Sequence, residues 1–237
     1  MPVLLLAQGD AKARDLLKKA ISARYGFNPP AIESLRIDFK GRARAKVGPI
    51  TAWVPVEVLA SFRFPTQMRW DFTVKTIGVA LQNGIEAYDG QQYRRARGSS
   101  SPSLMNDEAA VSSMRRRMWS VAALLLTPLG EHFVKLTSND DGSLNATNTQ
   151  LNDTVKMFLR ANDTLERIEF ECVNPDTDRT QMFSLQVAEQ QTPVNGLMLP
   201  TTIHTFWDKE PYLEFEPVAV ESNAQFSEAQ FSLTAQK

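Results

Sequence analysis

A chain of 237 residues, 43% hydrophobic and 22% charged, is long enough for one large domain or two small ones and too apolar for intrinsic disorder. Its 26 Lys and Arg against 27 Asp and Glu exclude a generally polybasic nucleic-acid coat. One cysteine, Cys172, excludes an intrachain disulfide framework and any multi-Cys zinc site, and two histidines leave little material for a His-rich metal centre. The sequence therefore calls for no metal and no cofactor.

The N-terminal Leu4-Leu5-Leu6-Ala7-Gln8-Gly9 is similar to the tail of an export signal, with Ala7 and Gly9 as the small residues before a cleavage point. A frayed N-terminus is the alternative for residues 1–9, and residues 10–237 read as one domain. No apolar run approaches the ~18 residues a bilayer-spanning helix needs, so no transmembrane segment is expected.

Asp10 supplies an N-cap for a helix over about 11–25. Ala13, Leu16, Leu17, Ala20 and Ile21 recur at helical spacing on one face, and Gly26 with Asn28-Pro29-Pro30 stops it. The period then changes to two. Leu35, Ile37 and Phe39 alternate with Arg36, Asp38 and Lys40, and the alternation runs on through Ala43 and Ala45 to a turn at Gly48-Pro49. Val56–Val74 holds two strands broken at Pro65, the second carrying Met68, Trp70, Phe72 and Val74 on one side. Asn83-Gly84 and Asp89-Gly90 are hairpin signals, and residues 98–104 form a Ser-rich loop.

A second helix is expected from about Asn106 to Thr127, with Asp107 and Glu108 at its positive end and Pro128 and Gly130 beyond its last turn. Val111, Met114, Met118, Ala122, Leu125 and Leu126 trace its buried stripe, while Arg115, Arg116 and Arg117 cover most of the remaining arc. After it come more short strands. Val155, Met157 and Leu159 alternate, then Ile168, Phe170 and Cys172, with turns at Asn162-Asp163, Asn174-Pro175-Asp176 and Asp208-Lys209-Glu210. The whole describes an α+β chain: a strongly curved antiparallel sheet, an unclosed β-barrel of about 10–11 strands, with helices covering its concave apolar face.

Chemistry is sparse. The chain has no G-x-S-x-G elbow, no phosphate-cradling glycine loop and no H-E-x-x-H helix. Cys172 shares a strand face with Ile168 and Phe170, which suits a buried thiol better than a nucleophile. Glu169/Glu171 and Glu214/Glu216 each set two carboxylates about 7 Å apart on one strand face. That spacing permits acid/base work, but charged residues are common on the wet face of a sheet. No catalytic residue is assigned, and the chain is read as a non-enzyme.

Residues 1–119 hold 19 Lys and Arg against 10 Asp and Glu, and residues 120–237 hold 7 against 17. Arg94, Arg95 and Arg97 together with Arg115–Arg117 suit phosphates or lipid headgroups by their guanidinium forks, or pairing with acidic groups of the same chain. Intramolecular pairing is the favoured reading. No nucleic-acid reader motif accompanies them.

Several segments in order carry a family resemblance. They are the opening helix Ala11–Ala23, then Phe64-Pro65-Thr-Gln-Met-Arg69-Trp70, Tyr88-Asp89-Gly90 and Val155-Lys-Met-Phe-Leu-Arg160. Thr164-Leu-Glu-Arg-Ile168, Val194-Asn-Gly-Leu-Met-Leu-Pro-Thr-Thr-Ile203 and the ending Val218–Asn223 with Phe226 and Phe231 complete the set. The chain resembles the LolA-like superfamily, which includes periplasmic lipoprotein carriers, outer-membrane lipoprotein receptors, mycobacterial lipid-binding lipoproteins and envelope-stress sensors. The resemblance implies a periplasmic or cell-envelope protein that binds a lipid, an acyl-bearing ligand or a lipid-modified protein in a cavity between sheet and helices. Read from the alternating strand faces and the helix stripe, the candidate lining of such a cavity is Leu35, Ile37, Phe39, Phe64, Trp70, Phe72, Met114, Met118, Leu125, Met157, Ile168 and Phe170. Arg42 and Arg44 lie in about the strand of the carriers' lid-closing arginine, and Arg115–Arg117 are the further candidates for lid or partner contacts. No N-terminal lipobox cysteine is present, so the chain does not look lipid-anchored.

Overall fold

The computed structural model describes residues 6–47, 50–76, 79–174 and 177–233. The first five residues, the expected Gly48-Pro49 turn and Pro175-Asp176 of the next expected turn lie outside them. Residues 6–9, read from sequence as a leader remnant or a frayed end, are tied into the fold. Leu6 and Ala7 donate to the Gly130 carbonyl, and Gln8–Gly9 (β1) pairs in parallel with Val134–Ser138 (β8).

Helix α1 (Ala11–Tyr25) starts where Asp10 accepts from the Ala13 N–H at 2.6 Å and ends at Gly26, whose φ of 64° a side chain would oppose. It buries Ala13, Leu17, Ala20 and Ile21; Leu16 is half-buried. Helix α2 (Glu108–Leu125) is capped by Asp107, which accepts from the Ala110 N–H at 2.9 Å, and every residue from Met118 to Leu125 is buried.

The remaining strands are β2 (Ser34–Val47), β3 (Ile50–Arg63), β4 (Gln67–Thr76), β5 (Val79–Tyr88), β6 (Tyr93–Arg97) and β7 (Ser103–Met105) before α2. After β8 come β9 (Leu144–Asn148), β10 (Asp153–Leu159), β11 (Leu165–Asn174), β12 (Arg179–Val187), β13 (Gln191–Val194), β14 (Leu197–Pro200), β15 (Ile203–Trp207) and β16 (Glu210–Ser222). A last short helix, α3 (Ala229–Ser232), was not foreseen.

Among the described residues fourteen strands form one sheet in the order β1-β8-β9-β10-β11-β12-β15-β16-β2-β3-β4-β5-β6-β7, with β13 and β14 as a separate hairpin. All pairings but β1 with β8 are antiparallel. The α+β class and the open antiparallel sheet are those expected from sequence; the strands are more numerous than the expected 10–11. The extra ones are short, two to four residues, and carry too little alternation to read. One hairpin signal also misleads: Asn83-Gly84 sits inside β5, paired across to Thr73 and Phe72, whereas Asp89-Gly90 does turn the chain.

The sheet is strongly bent. Seven strands separate β10 from β5, which would put them about 38 Å apart if flat. Yet Arg115 and Arg117, two residues apart on α2, reach Asp153 on β10 at 2.8 Å and Glu86 on β5 at 3.2 Å. The Asn148 side-chain amide at the end of β9 likewise donates to the Pro65 carbonyl between β3 and β4, at 2.9 Å. The sheet thus wraps around α2 as a trough whose edge strands, β1 and β7, do not pair with each other.

Candidate functional site: the inner face of the trough

Strand alternation decides what each side of the trough carries. On β2, β3 and β4 the matched sets Leu35–Phe62–Met68, Ile37–Ala60–Trp70 and Phe39–Val58–Phe72 share the inner face. Phe215 on β16, Phe183 on β12 and Phe170 on β11 continue it. Arg36, Asp38, Lys40, Arg42 and Arg44 take the outer face by the same period of two.

Nine of the twelve residues predicted to line a cavity are buried: Leu35, Ile37, Phe39, Met114, Met118, Leu125, Met157, Ile168 and Phe170. They belong to one continuous core with α1 and α2, so the lower part of the trough is filled by these side chains themselves. The Trp119 indole donates to the Ala146 carbonyl at 2.9 Å and fixes α2 against β9. Phe64, Trp70 and Phe72 are half-buried and pack against that core; Phe64 lies in the β3–β4 turn, its ring stacked on Phe62 at 5.8 Å.

Above the core the inner face is part-covered. Beyond Phe39, β2 carries Gly41, Ala43 and Ala45 on this side, opposite Val56, Val54 and Ala52. Ala43, Trp70, Phe72, Val74, Tyr212 and Leu213 are all half-buried there. Helix α2 packs chiefly over β10 and β11, and α1 over β8 and β9, so the small side chains of β2 have no helix of their own above them. At Gly41 a Cβ would come within 1.8 Å of the Glu214 carbonyl oxygen, so the close approach of β16 to β2 requires glycine.

Trp70 touches Phe39 and Phe215, with ring centroids 6.2 and 6.1 Å away, and Phe39 and Phe215 are 5.4 Å apart. A second aromatic group joins Phe170, Phe183, Trp207 and Tyr212 at 4.7–6.0 Å. Phe183, Trp207, Tyr212 and Phe215 were not among the predicted lining residues. Their alternation was visible, but only the register of β12, β15 and β16 shows that they face Trp70 and Phe170.

Charged groups on the inner face are few. Glu86 is buried and holds two arginines, Arg97 Nη2 on Oε1 at 2.9 Å and Arg117 Nη2 on Oε2 at 3.2 Å. Burial alone would raise the Glu86 carboxyl, but Arg117 and Arg97 outweigh it and hold it below the usual range. Burial, with Glu86 beside it, pushes the Tyr93 hydroxyl up to about 12. The Arg97 guanidinium also lies over the Phe72 ring, 4.5 Å from its centroid. Glycine at 84 makes room for that stack, since a Cβ there would meet Phe72 at 2.5 Å and Arg97 Nη1 at 2.6 Å.

The arginines proposed as lid or partner contacts are engaged within the chain. Arg42 and Arg44 are on the outer face, paired with Glu214 at 2.5 Å and Glu210 at 3.0 Å, because they alternate with the inward Gly41, Ala43 and Ala45. Arg115 binds Asp153; Arg116 lies 3.6 Å from Asp153 and donates to the Glu171 carbonyl; Arg117 binds Glu86. The other chemical candidates are also placed. Cys172 is buried, its thiol pushed up to about 11 by burial. His204 lies on the outer face, 3.9 Å from Glu214, and Glu169 is paired with Arg167 at 2.8 Å. Among the described residues no three His, Cys, Asp or Glu side chains group as metal ligands, and no helix is long and apolar enough to cross a membrane.

Two open grooves, of about 680 and 530 Å³, lie on the outer face. The first runs along Asp38, Glu57, Leu59, Asp71 and Ile85, the second beside Arg42, Trp53, His204 and Glu214.

No family model matches the chain, and no curated protein matches it. Among solved structures it is similar to a LolA superfamily protein from Nitrosomonas europaea, with 13% identity and a TM-score of 0.53 over 94% of this chain and 98% of that one. It is also similar to a DUF1329 family protein from Desulfovibrio piger, with 10% identity and a TM-score of 0.51 over 94% and 98%. An outer membrane lipoprotein-sorting protein domain from Vibrio parahaemolyticus matches with 9% identity and a TM-score of 0.49 over 93% and 96%. The fold is therefore LolA-like, the open antiparallel trough with few helices that the sequence resemblance implied.

Proposed function

We propose that the protein is a non-catalytic cell-envelope binding protein. Its ligand is hydrophobic: an acyl chain, a lipid or a lipid-modified protein. The observation that carries this reading is the half-exposed apolar strip of the inner face, Ala43, Trp70, Phe72, Val74 and Leu213, above a filled core. The ligand lies on that strip, and each methylene it buries contributes ~0.8 kcal/mol. The LolA-like fold supports an envelope setting.

Delipidated protein titrated with a fluorescent fatty acid tests the reading. Saturable binding that Trp70→Asp removes, with the circular dichroism unchanged, supports it; no saturable binding sinks it. A second reading, a protein-interaction or envelope-stress sensor module with no small-molecule cargo, draws on the outer groove beside exposed Leu59 and Val218. In that case the fatty acid does not bind, and mass spectrometry of freshly purified protein under native conditions finds no lipid.

A further inference from the structure

The inner face carries a charge imbalance at one side of the apolar strip. Register places Glu86 opposite Trp70 on β4 and opposite Arg95 on β6, and Gly84 opposite Phe72 and Arg97. Arg95, Arg97 and Arg117 therefore share one surface with a single carboxylate. Glu86 spends its two oxygens on Arg97 and Arg117. Arg95 is half-buried, and no carboxylate among the described residues pairs with it. Arg97 Nη1 is buried and has no hydrogen-bond partner. One buried carboxylate thus leaves two guanidiniums on adjacent inward positions of β6 with donors to spare.

Strand β6 lies two strands from β4, and the Arg97 side chain reaches back across β5 so that its guanidinium lies over the Phe72 ring, 4.5 Å from its centroid. An apolar chain on Trp70 and Phe72 would end beside Arg95 and Arg97. The guanidinium fork matches the two oxygens of a carboxylate or phosphate. Moreover, β6 is next to the edge strand β7, so a polar head there reaches solvent while its tail stays on the strip.

We infer that Arg95 and Arg97 form an anion subsite that selects amphiphiles with a carboxylate or phosphate head over neutral ones. This rests on the reading that the apolar strip binds hydrophobic chains. A neutral head could not use the spare donors and would leave them unpaired against the ligand, whereas an anion takes charge-assisted hydrogen bonds from both.

The test compares a pyrene-labelled fatty acid with the alcohol of the same chain, at about pH 8 where the free acid is ionised. The wild-type protein should bind the acid on the order of ten-fold more tightly than the alcohol. Arg95→Gln should remove most of that difference and leave the alcohol's affinity unchanged, and Arg95→Lys should restore part of it. Inorganic phosphate that weakens the acid but not the alcohol means the subsite takes a free anion as well; phosphate without effect means it reads an anion only at the end of a chain. Equal affinities in the wild type, or a preference that survives Arg95→Gln, overturn the anion subsite while alcohol binding leaves the apolar strip standing. Failure of both probes to bind overturns both.

Discussion

Arg117 of α2 and Glu86 of β5 meet inside the trough at 3.2 Å, and this contact joins the covering helix to the sheet's far wall. The opposite wall is held by Arg115 on Asp153. Both carboxylates are almost wholly buried, so α2 is fixed between the walls by charge as well as by its apolar stripe.

Glu86→Gln leaves the half-buried Arg117 and Arg97 without their counter-ion and should cost roughly 1.5–3 kcal/mol, read as a fall in the urea midpoint. Glu86→Leu combined with Arg117→Met removes both charges and should recover much of the loss. The pH dependence follows from the depressed carboxyl. Glu86 is ionised in the folded protein at pH values where it begins to protonate unfolded, so its contribution is complete above the ordinary glutamate range and fades as pH falls through its lower folded value. Glu86→Gln should flatten that part of the acid limb; an acid limb identical to wild type would contradict this account.

Two glycine substitutions should separate by what the new methyl meets. Gly41→Ala drives a Cβ to 1.8 Å from a backbone carbonyl, which cannot retreat without parting β16 from β2, and should prevent folding or lower the midpoint severely. Gly84→Ala meets a ring edge and the end of an arginine, both able to move. It should fold with a loss of about 1–3 kcal/mol. Equal damage from both would show that the Arg97–Phe72 stack is as rigid as the strand pairing.

Cys172 should be nearly inert in the native state. With its thiol at about 11, the thiolate fraction at pH 8 is on the order of 100-fold below that of an exposed cysteine, and burial excludes reagent besides. Iodoacetamide labelling followed by mass should be slow until urea unfolds the chain. Rapid native labelling would refute the burial of this thiol, and loss of fatty-acid binding in Cys172→Ala would reopen a role for it.

Arg42→Ala and Arg44→Ala should leave fatty-acid binding unchanged, because both side chains lie on the face opposite Trp70 and spend their charge on half-buried Glu214 and exposed Glu210. A marked change in affinity would mean that the outer face takes part in capture and that a lid role returns for these residues.

Which parts of the site were legible follows from how local each signal is. Asp10 and Gly26 bound α1 because a cap needs only side chains within a turn of the helix end. The alternation of Leu35, Ile37 and Phe39 gave β2 and its apolar face for the same reason. Gly84 failed because an Asn-Gly pair is equally suited to a turn and to a strand that must leave room for a neighbour. That neighbour, Arg97 over Phe72, is 13 residues on in the chain. Strand position suggests Arg42 and Arg44 as lid candidates, while parity within the same strand sets them on the outer face.

The periodicities of 3.6 and 2 thus settled the helices, most strands and which side of each is apolar, since these depend on backbone geometry within a few residues. Only the folded sheet decided that the lower trough is filled while Ala43, Trp70 and Phe72 stay half-exposed, and that three arginines share Glu86's surface. Those outcomes depend on register between strands distant in sequence and on the bend that brings β5 and β10 to the same helix, and no local pattern encodes either.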